Sequence, residues 1–189
     1  KKAELIKTGH SDSEGSACGA VKNAALLVAP YSQATIENST ITTNGDGASG
    51  IVGSGKKVKI TAKDLTIRTN NRVSQGIGAA YGAEISLTGN ISTYGSQSPA
   101  LATATKVDSS LTADGVTLRT YGQNSPLISS TGTMKLNAIN GEASNGTFGL
   151  LEGNTSDIYQ FTAKGANGFY LYQTDLGTAE KGTTKLTIN

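Results

Sequence analysis

A short turn motif recurs four times along this chain and constrains its fold more than any other feature. The motif reads T-[NY]-[GN]-x(2,3)-S, and its first threonine recurs at intervals of 24 to 27 residues. Repetition at a period of this length is typical of solenoids, in which each repeat is one supersecondary unit that covers the next. The chain is therefore expected to bury its core by stacking these units. The motifs begin at Thr43, Thr69, Thr93 and Thr120 and close at Ser49, Ser74, Ser98 and Ser125.

Each repeat contains three short strands and no helical segment. β-Branched residues or leucine precede every motif, an apolar residue follows every closing serine, and a third run such as residues 58–61 alternates with period two. Three strands per repeat, joined by Gly and Asn turns, predict an all-β, right-handed, single-stranded parallel β-helix. Weaker copies at residues 5–9, 145–146 and 167–168 extend the series. We therefore expect about seven coils of about 25 residues, forming a single domain over residues 1–189.

The composition excludes several other classes of protein. The chain has 24 Gly, 25 Thr, 19 Ser and 13 Asn but only 16% charged residues, which is unlike a helical bundle. A net charge of +2 with three arginines argues against nucleic acid as a partner. The longest apolar run, residues 24–29, is too short to span a membrane. One cysteine and one histidine exclude an internal disulfide and a multi-histidine metal site, so we predict neither metal nor cofactor.

The repeated turn residues have two expected roles. Asn and Gly at the second and third motif positions, such as Asn44 and Gly45, are expected to adopt positive φ and turn the chain at each corner. The stacked threonine and serine hydroxyls are expected to satisfy turn amides rather than to contact a ligand.

The turn motif, together with residues 23–28, 40–51 and 124–128, resembles right-handed parallel β-helix proteins of the pectin-lyase-like superfamily. Within that superfamily the chain is most similar to adhesin-like bacterial surface proteins, including pertactin-like autotransporter passengers. The resemblance covers residues 5 to about 172. It implies an extracellular or cell-surface location, with a glycan or a host surface protein as partner. Other members are polysaccharide lyases or glycoside hydrolases, and the fold alone does not decide between binding and catalysis.

The distribution of acidic residues favours binding over catalysis. Polysaccharide-cleaving enzymes on a β-helix need carboxylates clustered on neighbouring coils, whereas the seven Asp and seven Glu of this chain are dispersed. Asp64 and Asp114 each precede a third strand but lie two coils apart, which corresponds to about 10 Å. We therefore expect a non-catalytic protein, with polysaccharide lyase or glycoside hydrolase activity as the alternative.

Two pairs of side chains are candidate ligand-binding residues. Tyr94 and Tyr121 take the same turn position in adjacent repeats, and Arg68 and Arg119 take the same outward strand position two repeats apart. Exposed aromatic rings stack on sugar faces, and guanidinium groups donate hydrogen bonds to sugar hydroxyls. The sequence leaves open whether the tyrosines instead stack on each other and shield a turn.

Two irregular regions carry further expectations. The polar run from His10 to Ser16 interrupts the coil pattern, and insertions of this kind often carry function in solenoids. The alternating run of residues 184–189 is not followed by a cap. We therefore expect the native protein to continue beyond it, or this edge to make an end-to-end contact with a partner.

Overall fold

A computed structural model describes residues 2–10, 23–104, 109–152, 155–172 and 184–189. Within these ranges the chain is all β, without a helix, and every strand pair is parallel. The strands wind into a parallel β-helix of about five turns. The predicted fold class is therefore confirmed.

The strands differ in length because several of them continue around one corner of the solenoid. β6, β8 and β10 each cover two sides of a turn, and a register shift marks the corner between the two sides. In chain order the strands are β1 Glu4–Lys7, β2 Ala24–Val28, β3 Gln33–Glu37, β4 Thr40–Thr43, β5 Ser49–Ser54, β6 Lys59–Thr69, β7 Ile77–Ala80, β8 Glu84–Thr93, β9 Leu101–Ala104, β10 Ser110–Thr120, β11 Ile128–Ser130, β12 Thr133–Glu152, β13 Thr155–Tyr172 and β14 Lys185–Ile188.

Three parallel sheets form the sides of the solenoid. The first sheet contains β2, β5, β7, β9 and β11, together with the ends of β12 and β13. The second sheet contains β3, β14 and the first parts of β6, β8, β10, β12 and β13. The third sheet contains β1, β4 and the later parts of the same five long strands.

Alternation along each strand directs one set of apolar side chains into the solenoid. Ile41, Ile67, Ile91 and Leu118 occupy the same register position of the third sheet in four successive turns, and each is at most 2% exposed. Burying one such side chain contributes roughly 1.5–3 kcal/mol. Because each turn covers the apolar column of the next, the core is continuous along the axis.

The number of turns is smaller than the sequence predicts. The structure has about five turns rather than the seven that the sequence predicts. At the N-terminal end of the described chain, β1 pairs with β4 in the third sheet. Residues 11–22 lie outside the described ranges. At the end, β14 adds to the second sheet only, and residues 173–183 lie outside them.

The backbone of the corners between the third and first sheets also differs from the prediction. Positive φ does not occur at Asn44 or Gly45, nor at their equivalents in the later corners, so the prediction for these positions was wrong. It occurs one or two residues before each closing serine, where the left-handed residue donates its amide to a carbonyl of the next turn. The φ values are 63° at Gly47, 55° at Val73, 54° at Gln97 and 56° at Asn124.

Crowding, rather than a left-handed backbone, explains the glycine at the third motif position. A Cβ atom added at Gly95 would overlap the carbonyl group of Asn71, and one added at Gly122 would overlap the carbonyl group of Gly95. Successive corners lie at the strand spacing of about 4.8 Å, so main-chain atoms fill the space that a side chain would need.

Candidate functional site

A column of buried serines joins the corners between the third and first sheets. Ser74, Ser98 and Ser125 are fully buried, and each Oγ accepts a hydrogen bond from an amide of the preceding corner. The amide-to-hydroxyl distances are 3.1, 3.0 and 3.0 Å. Each hydroxyl also lies 2.9 to 3.2 Å from a carbonyl oxygen of that corner, to which it can donate. The prediction that serine hydroxyls satisfy turn amides is confirmed in these three turns.

The same prediction for the opening threonines was wrong, because two of their hydroxyls bond carbonyl oxygens and those of Thr43 and Thr120 are buried without a partner. Thr69 Oγ1 donates to the carbonyl oxygen of Ser74 at 2.7 Å, and Thr93 Oγ1 donates to that of Ser98 at 2.6 Å. Both hydroxyls are buried, so water does not compete for these bonds. The corners are therefore fixed, and with them the direction in which the second motif residue projects.

The second motif residues form a ladder on the outside of these corners. Asn70 Nδ2 donates to Asn44 Oδ1 at 2.6 Å. In the next two turns the rings of Tyr94 and Tyr121 stack, with centroids 4.7 Å apart and an interplanar angle of 21°. Of the two arrangements that the sequence left open for the tyrosines, mutual stacking is the one in the structure.

Arg68 covers the other face of Tyr94. Its Cζ atom lies 4.1 Å from the Tyr94 ring centroid, which is a cation–π distance, and its Nε donates to Asn70 Oδ1 at 2.6 Å. Arg68 belongs to the turn before Tyr94, and Tyr121 belongs to the turn after it. The Arg68/Tyr94/Tyr121 stack therefore leaves neither face of Tyr94 for a ligand.

Tyr121 is the last ring of this stack and is half-buried, whereas Tyr94 is 37% exposed. Within the described ranges, its ring stacks on Tyr94 and makes no other aromatic or cation–π contact. The ladder position of the next turn holds Ser144, whose side chain is too small to cover a ring. Asn145 Nδ2 donates to the main-chain oxygen of Tyr121 at 2.8 Å and holds the corner in place. Tyr121 is thus held in place at the end of the stack that is nearest to the following turns.

Arg119 shares the outward column of Arg68, as the repeat alignment predicts, but has different partners. The column passes through Arg68, Ser92, Arg119, Glu142 and Lys164, which are register partners in five successive turns. Arg119 Nε lies 3.9 Å from Glu142 Oε2, and Lys164 Nζ lies 3.7 Å from Glu142 Oε1. The structure therefore pairs Arg119 with Glu142 rather than with a tyrosine.

A shallow depression of about 240 Å³ opens on the third sheet beside Arg119. Pockets that enclose small molecules have roughly 300–1,000 Å³, so this depression suits one ring of an extended ligand. Two outward columns line it. The first contributes Arg119, Glu142 and Lys164, and the second contributes Thr117, Asn140 and Thr162.

Sequence reasoning missed Glu142 and Lys164. Both precede the weaker copies at residues 145–146 and 167–168, where the motif has lost its threonine, so the outward strand positions before these turns were not compared. The available signal was the strand register: Thr117-Leu118-Arg119 aligns with Asn140-Gly141-Glu142. Gly141 occupies the inward position where the earlier turns have Ile or Leu. The alternation of apolar and polar residues that marks a strand is therefore missing from this part of the sequence.

The acidic pair considered for catalysis takes part in corners between the second and third sheets. The Asp64 amide donates to Thr88 Oγ1 at 2.8 Å, and Asp114 Oδ1 accepts from Asn137 Nδ2 at 2.8 Å. In the described part of the chain no group of three or more His, Cys, Asp and Glu side chains is placed to hold a metal ion.

The remaining predicted features are described only in part. His10 Nδ1 accepts a hydrogen bond from the Asp46 amide at 3.1 Å, whereas residues 11–16 of the polar run lie outside the described residues, as does Cys18. Residues 185–188 form β14, which pairs with β13, and an end-to-end contact through this turn stays a prediction. None of the described segments forms a helix with the length and hydropathy needed to cross a bilayer.

Comparison with known proteins finds no relative of this chain. No protein-family model, no curated protein and no solved structure matches it. The strand register shows the parallel β-helix. Membership of the pectin-lyase-like superfamily is a proposal.

Proposed function

We propose that this protein is a non-catalytic, adhesin-like segment of a bacterial surface or secreted protein, and that it binds glycans. The observation that carries the proposal is the Arg68/Tyr94/Tyr121 stack, which holds the half-buried Tyr121 ring at its end, on the same side of the solenoid as Arg119. The bacterial surface location follows from the resemblance to pertactin-like passengers of the pectin-lyase-like superfamily, and the parallel β-helix supports it. A host surface protein is the other partner that the resemblance implies.

The stack supports glycan binding because it holds the ring in position before a ligand arrives. Ordering a mobile side chain on binding costs about 0.5–1.5 kcal/mol. Tyr121 is already held by Tyr94, and Tyr94 is held by Arg68. An aromatic pair of this kind contributes about 0.5–1.5 kcal/mol beyond the area it buries. A sugar ring can therefore stack on Tyr121 with little further loss of side-chain entropy.

The polar groups of the third sheet match the hydroxyl rim of a sugar. The Arg119 side chain is 41% exposed and can donate hydrogen bonds, while Thr117 and Asn140 offer both donors and acceptors. A sugar has an apolar ring face and a polar rim. We propose that the face lies on Tyr121 and the rim contacts these groups.

A glycan array with one variant and one matched control tests the proposal. Tyr121→Ala removes the last ring of the stack, and we expect it to weaken binding of the array-selected glycan at least tenfold, which is about 1.4 kcal/mol. Tyr31→Ala removes a tyrosine that is 71% exposed and lies under Lys57 at a different corner, so binding should not change. Wild-type protein that binds no arrayed glycan, or equal losses in the two variants, would refute the proposal.

The same array separates the alternative functions. Shortening of an arrayed polysaccharide would identify a lyase or glycoside hydrolase and overturn the non-catalytic proposal. Asp64→Asn and Asp114→Asn would then show whether the acidic pair contributes. Selective binding to an array of host matrix proteins, without glycan binding, would instead identify a protein-binding adhesin.

A further inference from the structure

A carboxylate lies between two cations on the outward face of the third sheet, one turn beyond Tyr121. Glu142 Oε2 faces Arg119 Nε at 3.9 Å, and Glu142 Oε1 faces Lys164 Nζ at 3.7 Å. The Lys164 side chain is 78% exposed and that of Glu142 is 34% exposed. Ion pairs this long and this accessible to water contribute little to stability. The three groups are therefore held only weakly by one another and remain accessible to a ligand.

The side chains around Glu142 combine hydrogen-bond donors with acceptors. Arg119 and Lys164 can only donate, and an ionised Glu142 can only accept. The parallel column beside them carries side chains that can do both. These are Thr117, Asn140 and Thr162, which are register partners in the same three turns.

We propose that this depression is a subsite for a neutral, hydroxyl-rich glycan chain, and that it discriminates against polyanionic glycans. The inference rests on the proposed glycan-binding function and specifies its ligand class. Neighbouring hydroxyls of a neutral sugar donate to Glu142 and accept from Arg119 and Lys164. All three charged groups then keep a hydrogen-bond partner when the sugar displaces water.

Glu142 is the residue that discriminates against an anionic chain. It occupies the position between Arg119 and Lys164 where a carboxylate or sulfate of the ligand would otherwise bind. Arg68, the other cation of the column, is held over Tyr94 and hydrogen-bonded to Asn70. A polyanion would therefore meet a negative charge at the centre of the subsite, and such a repulsive element produces specificity.

The subsite continues the surface that begins at Tyr121. Arg119 and Lys164 are two turns apart, which corresponds to about 10 Å along the axis. This length suits a disaccharide unit. We place one sugar ring against Tyr121 and the next over Glu142, so the glycan chain runs along the solenoid.

Isothermal titration with defined oligosaccharides tests the inference. The neutral probes are cellohexaose, mannohexaose and xylohexaose, and the anionic probe is hexagalacturonate. We expect wild-type protein to bind at least one neutral probe at least tenfold more tightly than hexagalacturonate. Glu142→Gln removes the charge with little change in shape, so it should strengthen hexagalacturonate binding severalfold and weaken neutral binding.

Glu84→Gln is the matched control. Its carboxylate also pairs with an exposed lysine, Lys59, at 3.5 Å, but on the second sheet. We expect this variant to bind every probe as wild type does, and circular dichroism should show that both variants keep the wild-type fold.

Three results would overturn the inference. If hexagalacturonate binds as tightly as the best neutral probe, the ligand class is wrong while the glycan-binding function stands. If Glu84→Gln and Glu142→Gln change binding equally, the depression is not the site. If wild-type protein binds none of the four probes, the inference fails, and the glycan array decides separately whether the proposed function also fails.

Discussion

The middle turns and the last turns of the solenoid close their corners by different means. Up to Ser125, buried serine hydroxyls bridge successive corners. Beyond it the motif is lost. There the rings of Phe148, Phe161 and Phe169 pack together, with centroids 5.5 to 6.1 Å apart. One architecture is thus stabilised by hydrogen bonds in one region and by aromatic packing in another.

The inward column of the third sheet shows the same change. Leu118 is followed by Gly141 and Ala163 at its register position, so the branched aliphatic column ends in the last turns. A Cβ added at Gly141 would lie 2.5 Å from the Leu127 side chain, which shows that neighbouring side chains fill the space. Leu171, in the same region, is 43% exposed. Because less apolar surface is buried there, we expect the last turns to open locally before the middle turns do.

Shortening the aliphatic column should have the largest effect on stability. Leu118→Ala removes a fully buried side chain and leaves a cavity, so the free energy of unfolding should fall by about 3 kcal/mol. The control is Leu171→Ala, which should cost less than about 1 kcal/mol because that side chain is half exposed. Urea unfolding measures both values. Equal losses would contradict the contrast between the two regions.

Removing one serine of the buried column should have the next largest effect. In Ser98→Ala the buried Ser74 amide loses its acceptor, which should lower the free energy of unfolding by about 2 kcal/mol. Ser144→Ala changes an exposed serine of the last turns and should alter stability by less than about 0.5 kcal/mol. A small effect at Ser98 would mean that the serine column does not stabilise the middle turns.

The contrast also shows how much of the fold the sequence could predict. The middle turns were predictable because an inward Ile or Leu and a closing Ser recur in each of them. The number of turns was overestimated, since counting the weaker copies at residues 5–9, 145–146 and 167–168 gives seven, whereas the structure has about five. The left-handed positions were misplaced because the Asn-Gly pair at residues 44–45 suggests positive φ, whereas crowding between corners is a tertiary effect.

The candidate site was predictable to the same extent. The repeat alignment placed Tyr94 beside Tyr121 and Arg68 in line with Arg119. It could not show that Arg68 turns onto the Tyr94 ring, because that depends on the side-chain rotamer and on the Asn70 hydrogen bond. Because Arg68 and Tyr121 cover the two faces of Tyr94, Tyr121 is the tyrosine that stays as the candidate contact.

Relieving backbone strain in a middle corner should raise stability by a smaller amount. Val73 is β-branched yet has φ of 55°, a conformation that costs of order 1 kcal/mol or more. Val73→Asn supplies the residue found at the equivalent position 124 and should raise the free energy of unfolding by about 1 kcal/mol. Val73→Ile keeps the strain and serves as the control in thermal unfolding. A loss of stability in the asparagine variant would contradict this account of the corner.

The smallest expected effect on stability is that of Glu142→Gln. Its ion pairs are long and exposed, so the free energy of unfolding should change by less than about 0.5 kcal/mol. Urea unfolding measures the effect of this variant on stability, and the oligosaccharide titrations measure its effect on glycan binding. A loss above about 1 kcal/mol would show that the charged column stabilises the last turns instead.

Amide chemical-shift mapping by NMR tests the central claim most directly, with wild-type protein titrated with its array-selected glycan. We predict that the largest shifts fall on residues 117–124 and 140–147, around Tyr121 and Glu142, and that the second-sheet residues 59–63 and 110–114 do not shift. Shifts concentrated on the second sheet, or no shifts at saturating glycan, would contradict the assignment of this surface as the binding site.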